Sequence, residues 1–416
     1  MKKLLSSFAL AVLLFSLYGI TNGRSIFFAD SYMLRAHGVE ASYWNPAKLA
    51  EDKYIDLWIP LSNSGIYIAN NALDLETYNN FVSADTLYAA DKEELLSKVD
   101  GSIRAVSSGS MSLWGFTMGN TALSSSVCYY GKGALSEKFL RLVLYGNTED
   151  EYVFERQDNN ISVMSFADVT YGFGDIKIPF IPESVPDIKI GFSASVLTGL
   201  YNVSTEDYKG VFSSDDNNGA SIQQDIRLRA AVGGYGFKGM FGMYSQVSPH
   251  VEVGMTLDNI GGNINWNLVK EDLVYHFEAD SVYVANLQED LYTQTHSRTK
   301  AEAFKTVLPP EFRVAWLYHR KRLSLSADWV QGFKTSVVTS GIGRLSFATQ
   351  VLPLPFLPIS WGLSFGNSAA PMKVSYGAGI KTKTLEVGAA IQSYGAFFPG
   401  QTSKGISASF NLRVWY

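Results

Sequence analysis

The last twelve residues of the chain, 405–416, alternate strictly between apolar and mostly polar side chains. The apolar series is Ile406, Ala408, Phe410, Leu412, Val414 and Tyr416. Because successive side chains of a strand point to opposite faces, this segment has one apolar face and one mostly polar face. It ends on an aromatic residue without a polar tail, which favours the last strand of a membrane barrel. The alternative at this point is the last strand of a secreted β-sandwich.

The composition is short of charge. Charged residues make up 18% of the 416 residues, aromatic residues make up 13%, and there are 36 glycines. A soluble domain averages roughly 25% charged residues, so the shortfall fits an outer surface that faces lipid rather than water. The single cysteine, Cys128, excludes an internal disulfide and fits an exported bacterial chain that needs none.

Residues 1–23 have the organisation of a secretory signal peptide. Lys2 and Lys3 precede an apolar run over residues 4–17, and Gly23 is a small residue at a suitable cleavage position. Cleavage there removes two lysines and no acidic residue, so the net charge of −5 becomes −7. A negative net charge argues against nucleic acid, and against an anionic lipid surface, as a partner.

After residue 23 the sequence has no apolar run of about 18 residues, the length that a membrane-spanning helix needs. A membrane protein without such helices has to be a closed barrel, because lipid cannot satisfy open sheet edges. Residues 24–50 mix apolar, aromatic and polar side chains without a period, and Asn45-Pro46 predicts a turn. We therefore predict a compact hatch in the barrel lumen over 24–50, shaped by Trp44, Asn45 and Pro46, followed by a barrel over 51–416.

Strand patterns recur along the rest of the chain and predict about 14 antiparallel strands, with 12 or 16 as alternatives. They lie near 54–69, 110–118, 121–131, 160–176, 187–198, 222–243, 250–260, 311–319, 322–330, 340–350, 359–366, 372–381, 384–393 and 405–416. The long connections, above all 70–109, 132–159, 199–221 and 261–310, all fall on one side of this arrangement. Helical spacing predicts short helices at 91–99 and 137–145. The segment 267–305 is interpreted as a lid over the mouth or as a mobile, solvated loop.

Three motifs resemble FadL-like outer-membrane barrels, the fatty-acid transporter superfamily, and their PorV-type relatives. They are Trp44-Asn45-Pro46-Ala47, the stretch 255–266, and the stretch 308–314, which leads to Asp328-Trp329. The resemblance implies a 14-stranded barrel with an N-terminal hatch, and passage of hydrophobic molecules in the members whose function is known. The superfamily also includes barrels that serve protein secretion. The long excursions at 70–109 and 261–310 depart from the transporter pattern.

Other motifs do not support a catalytic, cofactor or metal site. Gly234, Gly236 and Gly239 match G-x-G-x-x-G but lie in a continuous strand pattern instead of before a helix. The stretch 214–219 resembles a calcium loop but lacks the first acid and the last glutamate, so a solvated loop is the favoured interpretation. We predict no enzyme, no cofactor and no metal.

Ionisable residues on the polar strand faces are predicted to point into the lumen. They are Arg227, Arg229, Glu252, Asp258, Arg313, Asp328, Arg344 and Arg413. Mutual pairing that fills and stiffens the lumen is the favoured interpretation, and a polar lining that governs passage past the hatch is the alternative.

The sequence therefore predicts an all-β barrel in the outer membrane of a Gram-negative-type bacterium. The leading hypothesis is a conduit for small hydrophobic molecules gated by the hatch. The alternative is a structural or secretion-associated barrel that presents its loops to protein partners while the lumen stays plugged. The expected partners are outer-membrane lipid, a small hydrophobic ligand, and the barrel-assembly machinery, which would recognise Phe410, Leu412, Val414 and Tyr416.

Overall fold

The structure is a computed structural model that describes residues 23–49, 55–83, 87–147, 151–177, 187–215, 219–282, 292–366 and 371–416. Residues 1–22 lie outside these ranges, so the signal peptide stays a prediction. Residue 50 of the hatch and residues 51–54 also lie outside them.

A closed antiparallel sheet of 14 strands forms the body of the protein, as predicted. Its strands are β2 (Asn63–Asn70), β3 (Ser102–Met118), β4 (Thr121–Ser136), β6 (Asn160–Lys177), β7 (Ile188–Asp215), β8 (Gly219–Ser248), β9 (Val251–Val282), β12 (Glu311–Arg320), β13 (Leu323–Gly332), β14 (Arg344–Leu354), β15 (Leu357–Phe365), β16 (Met372–Lys381), β17 (Leu385–Tyr394) and β18 (Gly405–Trp415). The accessory strands are β1 (Asp56–Trp58), β5 (Glu151–Glu155), β10 (Tyr292–Lys300) and β11 (Phe304–Val307).

The last strand closes the ring against the first. Ser409 of β18 lies opposite Gly65 of β2, and Val414 lies opposite Leu57 of β1. The sequence pattern predicts one strand over 54–69, but residues 59–62 interrupt it, and Leu61 adopts a φ of 67° there. The Leu61 amide donates to Ser112 O at 3.0 Å, so the interruption is still hydrogen-bonded to β3.

The alternating strands turn their apolar side chains outward and their small polar side chains inward. In β18, Ile406 and Phe410 are 47% and 44% exposed, whereas Ser407 and Asn411 are 1% and 3% exposed. This is the reverse of a water-soluble barrel, in which the apolar face would be buried. The outer surface of the ring is therefore suited to hydrocarbon.

The two ends of the barrel differ. Turns at 119–120, 249–250, 321–322, 355–356 and 382–384 lie at the end where Tyr416 ends the chain, and we call this end the short-turn rim. The longer connections lie at the opposite end, the long-loop rim. They carry the helices Leu75–Ser83, Ala89–Ser97 and Glu137–Tyr145. The last two agree with the predicted helices at 91–99 and 137–145, whereas Leu75–Ser83 was not predicted.

Two predicted loops are wrong. Most of 199–221 belongs to β7 and β8, and the first part of 261–310 belongs to β9, so these three strands run far beyond the ring. Alternation ends there because an extension in water has no lipid-facing side. β10 pairs with β9 from Lys300↔Glu271 to Tyr292↔Ala279, and its residues 293–300 are exposed. The described part of 267–305 is thus a strand extension rather than a lid folded over the mouth.

Inside the ring, the described part of the hatch is almost wholly buried. Its residues Ile26, Phe28, Tyr32, Met33, Leu34 and Trp44 form the main core cluster with inward residues of the wall such as Ala315 and Leu317. The largest core of the molecule therefore lies between the hatch and the inner wall.

Candidate functional site: a cavity above the hatch

The Asn45-Pro46 turn packs directly against glycines of the inner barrel wall. Asn45 is fully buried, its Nδ2 donates to Met243 O at 3.0 Å, and its Oδ1 accepts from the Ala47 amide at 3.1 Å. Gly191 faces the backbone of the turn, and a Cβ added there would collide with backbone atoms of Pro46 and Ala47. The close approach of the turn to the sheet therefore requires glycine at 191.

Lys48 ties the same turn to the short-turn rim. Its Nζ donates to Leu34 O and to Glu252 Oε2, both at 2.6 Å, and it lies 4.8 Å from the centre of the Tyr244 ring. Lys48 is 1% exposed and Glu252 is 8% exposed. A buried ammonium needs such a set of partners, because loss of its hydration is otherwise expensive.

Asp328 holds the first half of the hatch. Its Oδ1 accepts from Ser31 Oγ at 2.8 Å, and its Oδ2 accepts from the amides of Tyr32 and Met33 at 3.1 and 3.0 Å. The Ser31 hydroxyl also lies 2.8 Å from Ser326 Oγ. A carboxylate on the wall thus replaces water for backbone groups of a segment that has little regular structure of its own.

Two further ion pairs lie where the hatch meets the closing strands. Arg24 Nη2 lies 2.6 Å from Glu386 Oε1. Arg413 Nε lies 3.0 Å from Asp56 Oδ1, while Asp56 Oδ2 accepts from the Val39 amide at 3.0 Å. Asp56 thereby connects the seam of the barrel with the hatch.

The face of the hatch toward the long-loop rim carries a second set of charges. Asp30 forms ion pairs with Lys373 and with Arg344, whose Nη1 is 3.3 Å away. Arg313 lies 4.8 Å from the Trp44 ring centre, with Glu311 Oε1 2.6 Å from its Nη2. A guanidinium stacked on an aromatic face and bound to a carboxylate is held in one orientation.

Above this face lies a cavity of about 340 Å³. Its floor is made by the hatch residues Ser25, Ile26, Asp30, Tyr43 and Trp44. Residues 335–340 of the β13–β14 connection line it from the long-loop rim. The volume falls in the range of roughly 300–1,000 Å³ that is usual for small-molecule sites.

The cavity is lined by both apolar and polar side chains. Its apolar lining includes Cys128, Tyr130, Phe166, Leu308, Val337 and Val338, which belong to one cluster with the fully buried Trp266. Its polar lining includes a row of serines over 107–112 and the charged residues Asp168, Lys238, Asp258, Glu311, Arg313, Arg344 and Lys373. A molecule that fills it would have to present both an apolar body and a polar group.

Burial changes the protonation equilibria of the hatch. It raises the pKa of Glu40, although Arg24 and Arg413 oppose this, and the carboxyl group accepts from the Tyr32 hydroxyl and from Asn63 Nδ2. Burial lowers the pKa of His37 well below its usual value, and the charges of Lys48, Arg413, Arg24 and Lys381 act in the same direction. The hatch is therefore built for an uncharged imidazole.

Six of the eight ionisable residues singled out from the sequence meet the hatch or its partners: Glu252, Asp258, Arg313, Asp328, Arg344 and Arg413. Arg227 and Arg229 lie elsewhere. Both pair with Asp272 on the extension of β8 and β9, and Arg229 also pairs with Glu206. Sequence reasoning missed Arg24, Asp30 and Lys48 on the hatch side of these contacts, and it missed Asp56 of β1. The charged residues of 24–50 are Arg24, Asp30, Arg35, Glu40 and Lys48, and a charge placed in a buried segment was the signal that could have found the hatch-side partners.

Among the described residues, no helix is long and apolar enough to cross a membrane. In the same ranges, no three His, Cys, Asp or Glu side chains are grouped as metal ligands would be.

The fold and the site define a closed β-barrel with residues 23–49 packed against its inner wall and a small cavity beside them. No family model and no curated protein matches the chain. Solved structures do. A Pseudomonas aeruginosa FadL homologue is 11% identical over 95% of this chain and 97% of its own, with a TM-score of 0.49. The Ralstonia pickettii toluene transporter TbuX is 10% identical over 91% and 94%, with a TM-score of 0.48. The P. putida toluene transporter TodX is 10% identical over 95% and 97%, with a TM-score of 0.47.

These structures are of the class that the sequence motifs resemble. The strand pairing described above establishes the fold of this chain, and similarity at this level brings no substrate to it.

Proposed function

We propose that the protein is an outer-membrane barrel of a Gram-negative-type bacterium, with the short-turn rim toward the periplasm. The support is the outward apolar series of the strands, such as Ile359 and Trp361 at 41% and 37% exposure beside Ser360 at 4%. Lipid stabilises that surface, whereas water would not. Recognition of Phe410, Leu412, Val414 and Tyr416 by the barrel-assembly machinery belongs to the same proposal.

The function that the geometry supports best is a conduit for small molecules with an apolar body and one polar group. The observation that carries this proposal is the cavity between the hatch and residues 335–340, which is lined by the apolar Phe166, Leu308 and Val338 and also by charged side chains. An apolar body would gain from contact with the apolar lining, and a polar group would find hydrogen-bond partners among the polar lining residues. A fully polar solute would gain nothing from the apolar lining.

The hatch of residues 24–50 is the gate in this proposal. It fills the lumen below the cavity, so a molecule reaches the periplasm only when part of the hatch moves. Its ion pairs with the wall differ in location. Lys48 and Glu252 are buried near the short-turn rim, whereas Asp30, Arg344 and Lys373 line the cavity. Movement that begins at the Asp30 side would disturb the fewest buried groups.

The number of ion pairs that link the hatch to the wall favours a second function. Arg24–Glu386 and Lys48–Glu252 join the hatch to β17 and β9, and Asp56, which pairs with Arg413, accepts from the Val39 amide of the hatch, as expected of a permanent plug. In that case the barrel is a structural or secretion-associated scaffold whose long-loop rim meets protein partners.

Uptake of radiolabelled 2-naphthalenesulfonate into proteoliposomes distinguishes the two. This molecule has an apolar body of two rings and one sulfonate group, whose fixed charge prevents it from crossing lipid unaided. We expect uptake by the native protein and a loss of about tenfold or more in Leu308→Asp, which puts a charge among the apolar lining residues of the cavity. Leu325→Asn on the lipid-facing surface is the matched control. Equal uptake by protein-free and protein-containing liposomes would favour the permanent plug.

A further inference from the structure

The short-turn rim carries a basic patch that contrasts with the negative net charge of the chain. Arg320, Lys321 and Arg322 form the turn between β12 and β13, and Lys381 and Lys383 flank the turn between β16 and β17. All five side chains are exposed. No acidic residue occurs in 319–323, 352–357 or 380–385, and the neighbouring Glu386 is buried and bound by Arg24.

The two basic turns are joined into one surface by the turn between β14 and β15. The Leu352 amide donates to Arg322 O at 2.9 Å, and Arg322 Nη1 donates to Pro353 O at 3.2 Å. On the other side, the Lys381 amide donates to Phe356 O at 2.8 Å. The cations are therefore neighbours in space although about sixty residues separate them in the sequence.

The middle of this surface is apolar. Leu354 and Phe356 are 46% and 50% exposed between the two basic turns. Nearby, Ile380 is 58% exposed on the outward face of β16, and Leu323 is 40% exposed on β13. The basic patch, which we define as Arg320, Lys321, Arg322, Leu354, Phe356, Lys381 and Lys383, thus continues directly into the outward apolar surface of the barrel.

We propose that the basic patch binds the phosphate headgroups of anionic phospholipids in the periplasmic leaflet. Cations beside exposed apolar side chains match a headgroup that is attached to acyl chains, since one molecule then contacts both parts of the surface. An acidic soluble protein would meet the cations but would not need Leu354 and Phe356 at lipid depth. The negative net charge of the whole chain argues against an anionic lipid surface as a partner, but the local charge of the basic patch is positive and attracts one. This inference rests on the membrane placement proposed above.

The test uses the full mature chain in nanodiscs of equal phosphatidylethanolamine and phosphatidylglycerol, with native mass spectrometry of the lipids that stay bound. We expect phosphatidylglycerol to be enriched, by up to about fivefold for each cation that lies at a headgroup. The variant Arg320→Gln/Lys321→Gln/Arg322→Gln/Lys383→Gln should lose this enrichment. The matched control is Lys209→Gln/Arg298→Gln/Lys300→Gln/Lys305→Gln, which removes four exposed cations far from the patch and should keep it.

Three results would overturn the inference or its basis, and they are distinguishable. If the chain enters nanodiscs but binds both lipids equally, the lipid assignment is wrong while the barrel proposal stands. If the variant loses binding of a poly-aspartate peptide but keeps the lipid enrichment, the patch serves an acidic protein instead. If the chain does not enter nanodiscs at all, the membrane placement itself is wrong.

Discussion

Lys48 Nζ donates to Glu252 Oε2 at 2.6 Å and so links the hatch to the wall of the barrel. Removal of the Glu252 carboxylate takes an ionic partner away from a buried ammonium. We expect Glu252→Gln to lower the free energy of unfolding by about 3 kcal/mol, measured by urea titration in detergent. The double variant Lys48→Met/Glu252→Gln should recover much of the loss.

A matched control is available on the surface. The ion pair between Arg298 and Glu271 spans 3.3 Å, with Arg298 70% exposed at the side chain. Glu271→Gln should change stability by well under about 1 kcal/mol, because exposed ion pairs contribute little. If both glutamine variants behave alike, the hatch is not held by Lys48.

The glycine of the barrel wall that faces the Asn45-Pro46 turn gives a steric prediction. In Gly191→Ala the new Cβ collides with backbone atoms of Pro46 and Ala47, so the turn at 45–47 has to move away from the sheet. We expect the hatch of this variant to become sensitive to added protease while the strands stay intact, as followed on denaturing gels. Gly133→Ala is the control, because a Cβ there meets its nearest neighbour, Asn160 O, at an ordinary 3.6 Å. Protection of the hatch in both variants would contradict the described contact.

Asp328 makes a prediction that separates charge from shape. Asp328→Ala leaves the amides of Tyr32 and Met33 without their acceptor, and unsatisfied buried groups cost about 1–3 kcal/mol each. We expect a clear drop in the urea midpoint for Asp328→Ala and a smaller drop for Asp328→Asn, which keeps one carbonyl acceptor. A variant pair with equal midpoints would show that the carboxylate does not hold the hatch.

The sequence predicted the features that depend on residues close together in the chain, and it missed those that depend on contacts between distant residues. The helix Glu137–Tyr145 was predicted with its observed bounds because its signals are local: Ser136 Oγ accepts from the Phe139 amide, and Gly146 follows the last turn with a φ of 75°. The alternation of β18 was equally local. By contrast, the contact between Ser31 and Ser326 joins residues 295 positions apart, and no pattern within either segment indicates it.

The sequence did not predict the full length of β7, β8 and β9, and the reason is different. Residues 204–207 of β7 (Ser-Thr-Glu-Asp) are all polar, and the pairing with β8 shifts its register between Thr205 and Asp207, so the sequence loses its period of two there. Hydrophobic alternation reports where lipid or a core ends, not where hydrogen bonding ends. The cavity was out of reach as well, because residues 335–340 reach it through tertiary contacts.

His37 predicts a pH dependence of the hatch. Its pKa in the folded protein is well below the usual value because of burial and of the nearby cations. Below a pH of about 6.5 the His37 imidazole binds a proton in the unfolded chain but stays neutral in the folded hatch. The free energy of unfolding therefore falls as the pH falls through that range. We expect the urea midpoint to decrease between pH 8 and pH 5 and the decrease to be smaller in His37→Gln. His296→Gln, on the exposed β10, should retain the full decrease.

The central claim is that the hatch is the gate of a conduit, and a reversible cross-link tests it most directly. Ser31 Oγ and Ser326 Oγ lie 2.8 Å apart, so Ser31→Cys/Ser326→Cys in a Cys128→Ser background should form a disulfide between hatch and wall. With the disulfide closed, uptake of 2-naphthalenesulfonate into proteoliposomes should fall to the level of protein-free liposomes, and reduction should restore it. Full uptake by the cross-linked protein, at the same rate before and after reduction, would contradict the account.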